Sequence, residues 1–414
     1  MGGAISTTAT SDVNSPEEEE SFTHLMVLVH GFKGTEEDYA YLQTTVERQA
    51  HQNSNVVVHR SACNIGKTTD GIENGGKRLA EEVEEQINKI EGAVRLSFVA
   101  NSMGGLYARN AIAHIDMERV TPLIFCTTST PHLGVCNHTY IPLPRWAETT
   151  IGNMMYDTGR DLFCMTTIVH EMGTRDFYLD PLRKFHKRIA VGNAFATDSL
   201  VPVATAAFLS KNSDYEHITL PSKEAYLLTL QTEPGQDHDK EEMSQSLDSL
   251  GWTKIFLDLR DRIPLPSIRI PFTEAATIPD KSVWTSKELF PVLNQVSGRW
   301  QIPVGHTVAI ANSRNDLYTR FTASGQPFMD QVAQDLLTLM GVPFSSNDQE
   351  DDDTADAPAD APQREAPECE NTDAPAGEVP ACNDAPAGEV PASNDADASQ
   401  GGVPAYSDAL HPEF

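Results

Sequence analysis

One stretch constrains the fold more than any other: Leu96-Ser-Phe-Val-Ala-Asn-Ser102-Met-Gly-Gly-Leu106. Residues 96–100 form a short, uncharged, largely apolar run, which predicts a buried strand. Ser102 follows among small residues, and Gly104 and Gly105 lead into a segment of helical character. Strand, sharp turn bearing a serine, then helix is the layout of a nucleophile elbow. Such a turn is sterically tight, so the residues two before and two after the serine must be small. Here they are Ala100 and Gly104. A small-x-Ser-x-Gly match arises by chance on the order of a few tenths of a time in a chain of this size. The rest of the sequence must therefore decide what Ser102 is.

Upstream, His24-Leu-Met-Val-Leu-Val-His30 predicts a buried strand, ending in the loop His30-Gly31-Phe32-Lys33-Gly34. Thr35 with Glu36, Glu37 and Asp38 looks like a helix start. A second strand is expected over residues 55–59. It is followed by a Gly/Thr/Asn-rich loop and a helix over residues 76–90, with Leu79, Val83, Ile87 and Ile90 on one face. Further strands are expected over residues 121–128, 188–192 and 253–259, and a closing helix over residues 328–340. Strands alternating with helices predict an α/β fold with a mostly parallel central sheet flanked by helices. Ligands of such sheets bind beyond the carboxyl ends of the strands, where the loops after residues 29, 100 and 128 converge. Residues 136–186 interrupt the rhythm with Trp146, Met154, Met155, Phe163, Met165, Ile168, Met172 and Phe177. We read them as a helical cap insertion, its methionines either lining an acyl pocket or simply packing. Residues 231–249 read as a surface excursion, and residues 263–300 are Pro-rich and give no clear element.

The ends differ from this body. Residues 1–21 are Ser/Thr/Gly-rich and then acidic, and are expected to be disordered. From residue 344 to 414 the chain is rich in Asp, Glu, Ala and Pro. It contains the repeat Asp-Ala-Pro-Ala-Gly-Glu-Val-Pro-Ala twice, starting at Asp373 and Asp384. This tail holds eighteen acidic residues against Arg364, which is −17 of the formal charge of −30. Its apolar content is too low to offset chain entropy, so it too is expected to be disordered. We thus expect a folded domain over residues 22–343 between two disordered ends. Without a Lys/Arg cluster, nucleic acid is not an expected partner. The six cysteines fit no CxxC pattern and read as reduced thiols. With no apolar leader and no run of 18 apolar residues, we expect neither a secretory signal nor a membrane span. The start Met-Gly-Gly-Ala-Ile-Ser6 fits the myristoylation pattern, with Gly2 as acceptor. One such chain gives only marginal membrane binding, about 10⁴ M⁻¹, and Glu17 to Glu20 would repel an anionic surface. The expectation is a cytoplasmic protein with at most weak peripheral membrane association.

A serine nucleophile needs an imidazole to take its proton, a carboxylate to orient that imidazole, and backbone N–H donors for the oxyanion. In the elbow fold these come in the order Ser, acid, His. Among late histidines only His306, beside Gly305, precedes the tail's His411. His30 and His132, each just past a strand, read as structural, and His114 lies behind the serine. Asp198 follows a strand and lies between Ser102 and His306, although it could instead cap a short helical turn at Ser199-Leu-Val. Asp258 is the rival, but it reads as lying within a strand, and Asp180, before Pro181, reads as a helix N-cap. The N–H groups of Met103 and Phe32 are the expected oxyanion donors. This chemistry needs no cofactor and no metal.

Four motifs in order carry a resemblance. They are Val29-His-Gly-Phe-Lys-Gly34, Ser97-Phe-Val-Ala-Asn-Ser-Met-Gly-Gly-Leu-Tyr-Ala-Arg109, Thr128-Ser-Thr-Pro-His-Leu-Gly134 and Gly192-Asn-Ala-Phe-Ala-Thr-Asp-Ser-Leu-Val-Pro202. The chain resembles, over roughly residues 24–340, the putative serine esterase (DUF676) family of lipase-like α/β hydrolases. The resemblance implies an α/β-hydrolase fold with Ser102 as nucleophile, Asp198 as acid and His306 as base. It also implies a lipid ester substrate, an acylglycerol or phospholipid. Two features depart from it: Ala100 stands where Gly is usual, and the segment 263–300 is longer than expected. An amidase or thioesterase with the same triad, and a non-catalytic binding protein on the hydrolase fold, are the alternatives.

Overall fold

In the computed structural model, residues 22–51, 54–138, 143–198, 200–235, 243–296, 298–300 and 304–343 are described. The expected lipidation site at Gly2 and the acidic repeat tail lie outside them. The strands are β1 (Phe22–Val29), β2 (Val56–Arg60), β3 (Ala93–Asn101), β4 (Val120–Thr128), β5 (Lys187–Asn193), β6 (Glu216–Leu220), β7 (Leu228–Gln231), β8 (Thr253–Leu257), β9 (Ile268–Arg269), β10 (Val283–Thr285) and β11 (Arg299–Trp300). The helices are α1 (Ala40–Gln49), α2 (Ile72–Asn88), α3 (Met103–Ala111), α4 (Arg145–Met154), α5 (Tyr156–Leu162), α6 (Ile168–Thr174) and α7 (Asp176–Arg183). They continue with α8 (Val203–Ala206), α9 (Met243–Asp248), α10 (Ser286–Leu293), α11 (Gly305–Val308), α12 (Asp316–Thr322) and α13 (Gln326–Met340).

The main sheet runs β10-β6-β7-β8-β5-β4-β3-β1-β2. From β2 to β8 every pairing is parallel, while β7, β6 and β10 extend the sheet antiparallel beyond β8. The mostly parallel sheet was expected and the antiparallel extension was not. Alternation along β1 explains why a parallel sheet needs helices on both faces. Leu25, Val27 and Val29 join a core with α2, α3, α6 and α7. Met26 and Leu28 point the other way, into a core with α1 and α13.

Helices α4 to α7 occupy the expected insertion. Phe163 and Met172 are buried in the core on the α3 side, so their role is packing. Trp146, Met154 and Phe177 are exposed. The polar run at residues 231–249 is no plain surface excursion. It opens with the last residue of β7 and ends in α9, where Ser244, Ser246, Leu247 and Asp248 are buried. Asp248 Oδ1 lies 2.5 Å from Lys254 Nζ of β8, and both side chains are fully buried. Thr35 does precede a helical start, but that start is a 3₁₀ turn leading into α1, and its hydroxyl caps nothing. Among the described residues no helix is long and apolar enough to cross a membrane.

Candidate active site

β3 delivers the chain to Ser102, which adopts φ 56°, ψ −131° as it turns into α3. Such a conformation costs a non-glycine residue roughly 1–3 kcal/mol and persists only where its surroundings hold it. Ser102 N–H donates to Thr128 O at the end of β4 (2.8 Å), and Ser102 O accepts from Gly105 N–H (3.1 Å). A Cβ at Gly104 would sit 2.4 Å from Val29 O and 2.6 Å from His30 O, so the turn fits against the end of β1 only with glycine there. Gly31 is as constrained: its Cβ would meet Ser102 Cβ at 2.7 Å. Ala100 is fully buried between Val29 and Thr127 in the sheet, and its methyl is accommodated. Ser102 itself is 9 % exposed.

Asp198 and His306, the expected acid and base, meet where the chain before α11 joins the loop after β5. Asp198 follows β5 and is fully buried. Its Oδ1 accepts the N–H groups of Leu200 (2.9 Å) and Val201 (3.0 Å). Its Oδ2 accepts from His306 Nδ1 at 2.8 Å. Asp198 thus holds the turn at Leu200 and Val201 with one oxygen and His306 with the other. Asn193, the last residue of β5, donates from Nδ2 to Asp198 Oδ2 (3.2 Å) and to Ser129 Oγ (3.0 Å). His306 sits on the one-turn helix α11. The chain there is fastened to the acid loop by a bridge between Asp198 and Val304, and Gly305 N–H donates to Thr197 O at 2.7 Å. A Cβ at Gly305 would lie 2.4 Å from that same oxygen, so glycine is what lets the two loops touch.

Burial opposes charge on both partners, pushing His306 down and Asp198 up. Their mutual contact outweighs it, so His306 is held above the ordinary histidine range and Asp198 below the ordinary carboxylate range. Asp38, which also pairs with Arg314 (2.8 Å), adds to the rise at His306. With the carboxylate accepting at Nδ1, the neutral imidazole carries its proton there, and Nε2 is left with a free lone pair.

Ser102 Oγ forms no hydrogen bond among the described residues, so the structure joins Asp198 to His306 directly and Ser102 to them through strand-end contacts. Ser102 is bonded to Thr128, Ser129 N–H to Val191 O (2.8 Å), and Asn193 to both Ser129 and Asp198. The N–H groups of Phe32 and Met103 have no acceptor among the described residues. The rivals lie elsewhere: Asp258 is occupied by Arg260 (2.5 Å), Asp180 pairs with Arg183 on α7, and His114 is exposed. His30 and His132 are buried. His132 is held between Thr127 Oγ1 (2.9 Å) and Arg109 (3.2 Å). Asn193 was not singled out in the sequence. Its place directly before the acid loop, at a strand end, was the available signal.

Residues 19–212 match the family described as Putative serine esterase (DUF676). The chain is similar to two Saccharomyces cerevisiae proteins. It is 29% identical over 203 residues to "Putative lipase ROG1", covering 45% of this chain and 28% of that one. It is 26% identical over 229 residues to "Putative lipase YDR444W", covering 47% and 33%. The chain therefore spans about a third or less of these relatives. Among solved structures it is similar to Bacillus licheniformis lipase BlEst2 in mature form (17% identity, TM-score 0.30, 47% of this chain and 73% of that one). It is also similar to the peroxisomal α/β-hydrolase Lpx1 of Saccharomyces cerevisiae (11% identity, TM-score 0.32, 47% and 69%). Residues 19–212, which carry the serine turn and five of the six parallel strands, are thus similar to the putative serine esterase (DUF676) family, and the fold is an α/β fold with a mostly parallel sheet between helices.

Proposed function

We propose that this chain is a serine hydrolase of carboxylic esters. Ser102 attacks the ester carbonyl while His306 Nε2 takes its proton. Asp198 fixes the imidazole through Nδ1 and stabilises the imidazolium that forms. The N–H groups of Phe32 and Met103 receive the developing oxyanion. His306 then returns the proton to the leaving alcohol, and water, activated by the same imidazole, releases the acyl group. The observation that carries this reading is the buried 2.8 Å Asp198–His306 contact, tied through Asn193, Ser129 and Thr128 to the strained turn at Ser102.

The substrate class we infer is a lipid ester, an acylglycerol or phospholipid. Two things support it. The curated relatives are named as lipases. Large apolar side chains also stand exposed on connections that leave the carboxyl ends of β4, β5 and β8: Trp146 (73 %) and Met154 (75 %) on α4, Leu200 (65 %) beside Asp198, and Phe272. Side chains of this size give an acyl chain apolar surface to lie against. We further read the protein as cytoplasmic, with Gly2 as a myristoyl acceptor giving weak membrane attachment.

The test is hydrolysis of short-chain and long-chain esters by the purified protein, below and above the critical micelle concentration. The reading predicts turnover that Ser102→Ala abolishes, and a rate on long-chain esters that rises once micelles form. Turnover that survives Ser102→Ala would contradict the catalytic assignment, and a rate indifferent to micelles would contradict the lipid assignment.

A further inference from the structure

The loop carrying the Phe32 amide is anchored at both ends. Gly31 lies against Ser102, as described above. Gly34 N–H donates to Gly31 O (3.0 Å), closing a four-residue turn over residues 31–34. Lys33, third in that turn, has φ 51°. A positive φ at the third position, with none at the second, marks a type II turn, which favours glycine there. A lysine holds that conformation against its own preference, so the 32–33 peptide needs support. Its N–H donates to Thr68 Oγ1 at 3.0 Å.

Thr68 is itself fixed from another part of the chain. Its carbonyl accepts the hydroxyl of Thr158 on α5 (2.8 Å). Thr158 Oγ1 in turn accepts Gly71 N–H (3.0 Å), and Thr158 N–H donates to Thr69 O (3.3 Å). Thr68 and Thr158 are both buried. Three residues on, Asp161 Oδ2 accepts Ile72 N–H (2.8 Å). Residues 68–72 are thus gripped by α5 on one side and grip the turn at Lys33 on the other.

We propose that Thr68 is a positioning residue for the oxyanion hole, transmitting the seat of α5 to the turn that carries the Phe32 amide. This rests on reading Phe32 N–H as an oxyanion donor. Without the Thr68 hydroxyl, the 32–33 peptide is free to turn over toward the negative φ that lysine prefers, and the turn loses its outer anchor. A donor displaced by a fraction of an ångström binds the ground-state ester almost as before but serves the tetrahedral oxyanion less well, so the loss falls on kcat. Misplacement by about 1 Å can cost roughly 10²-fold.

The test uses the full chain and p-nitrophenyl butyrate, a short soluble ester. Thr68→Val is expected to lower kcat by about 10-fold to 10²-fold with KM changed less than about twofold. Thr68→Ser, which keeps the acceptor oxygen, restores most of it. Because both threonines act through one turn, adding Thr158→Val to Thr68→Val lowers kcat little further. If Thr68→Val does not fold, as judged by thermal melting, Thr158→Val with Thr158→Ser carries the test on the same terms. A folded Thr68→Val with wild-type kcat overturns the proposal. So does a loss that raises KM equally and that Thr68→Ser does not rescue, because that is a stability effect. Ser102→Ala separates the levels: if it abolishes turnover while Thr68→Val leaves it intact, only Thr68 has been misread. If Ser102→Ala stays active, the site and this proposal fall together.

Discussion

Asp198 divides its work between two oxygens, and that division makes its role testable. Oδ1 holds the turn at Leu200 and Val201, while Oδ2 faces His306. Asp198→Asn preserves the size and an acceptor for the turn but removes the charge that fixes the imidazole tautomer. It should lower kcat by roughly 10⁴-fold with little change in fold. The pH profile carries the sign. The reaction needs neutral His306, and Asp198 holds its pKa above the ordinary histidine range. In the wild type, kcat/KM therefore falls on acidification through a pKa above about 6.5. In Asp198→Asn that acid limb moves to lower pH, because only the charge of Asp38 then opposes burial at the imidazole. An unmoved limb would mean that another group titrates. The linked stability has a definite sign as well. The contribution of His306 is fully present below the unfolded histidine pKa and is lost as pH rises through the raised folded value. That of Asp198 is present above the unfolded carboxylate pKa and is lost as pH falls through the depressed folded value. At this scale the pairing of Asp198 with His306 was legible from chain order, and the tight turn at Ser102 from its small neighbours. Asn193, Asp38 and Thr68 were not legible, because their roles depend on contacts across loops 5 to nearly 270 residues apart in sequence.

Among the elements, helix α2 shows how the insertion is built into the body. Its N-cap is Gly71 (φ 97°), which offers no side-chain acceptor. The first amide is satisfied instead by Asp161 of α5. Asp161→Ala should cost about 0.5–2 kcal/mol, as other N-cap losses do, measurable as a shift in the urea midpoint at unchanged m-value. No shift would mean that α2 needs no such cap. Helix α9 is held by the buried Asp248–Lys254 pair. Burial raises the Asp248 pKa to about 6 even with Lys254 opposing. Asp248→Asn leaves a lysine buried with no counter-charge and should destabilise by about 3–5 kcal/mol, whereas replacing both by apolar residues should recover most of the loss. A mild effect of the single change would show that Lys254 finds another partner. This pair also explains a misreading: Ser- and Asp-rich sequence predicts surface, and only the partner on β8 makes burial possible. The apolar runs behave oppositely. β1, β3, β4 and α13 were legible because their pattern is dictated by two-sided or one-sided burial. The Pro-rich segment 263–300 has no such pattern, and its described residues form only short β9, β10 and β11, α10 and irregular chain.

In the folded body as a whole, six parallel strands bring to one edge of the sheet residues separated by almost the entire domain. Ser102 leaves β3, Asp198 leaves β5, and His306 comes 49 residues after β8. The order β3-β4-β5-β8 makes these ends neighbours, and β4 lies between serine and acid. Its Thr128 and Ser129 are accordingly the relay that ties the two together. The central claim is that Ser102 at this edge is a nucleophile activated by the Asp198–His306 pair. The most direct measurement is covalent labelling of the full chain with a fluorophosphonate, the site being identified by mass spectrometry of the digested protein. The account predicts a single phosphonyl adduct on Ser102, absent in Ser102→Ala and formed much more slowly in His306→Ala. An unlabelled wild-type protein, or an adduct that persists in Ser102→Ala, would contradict it.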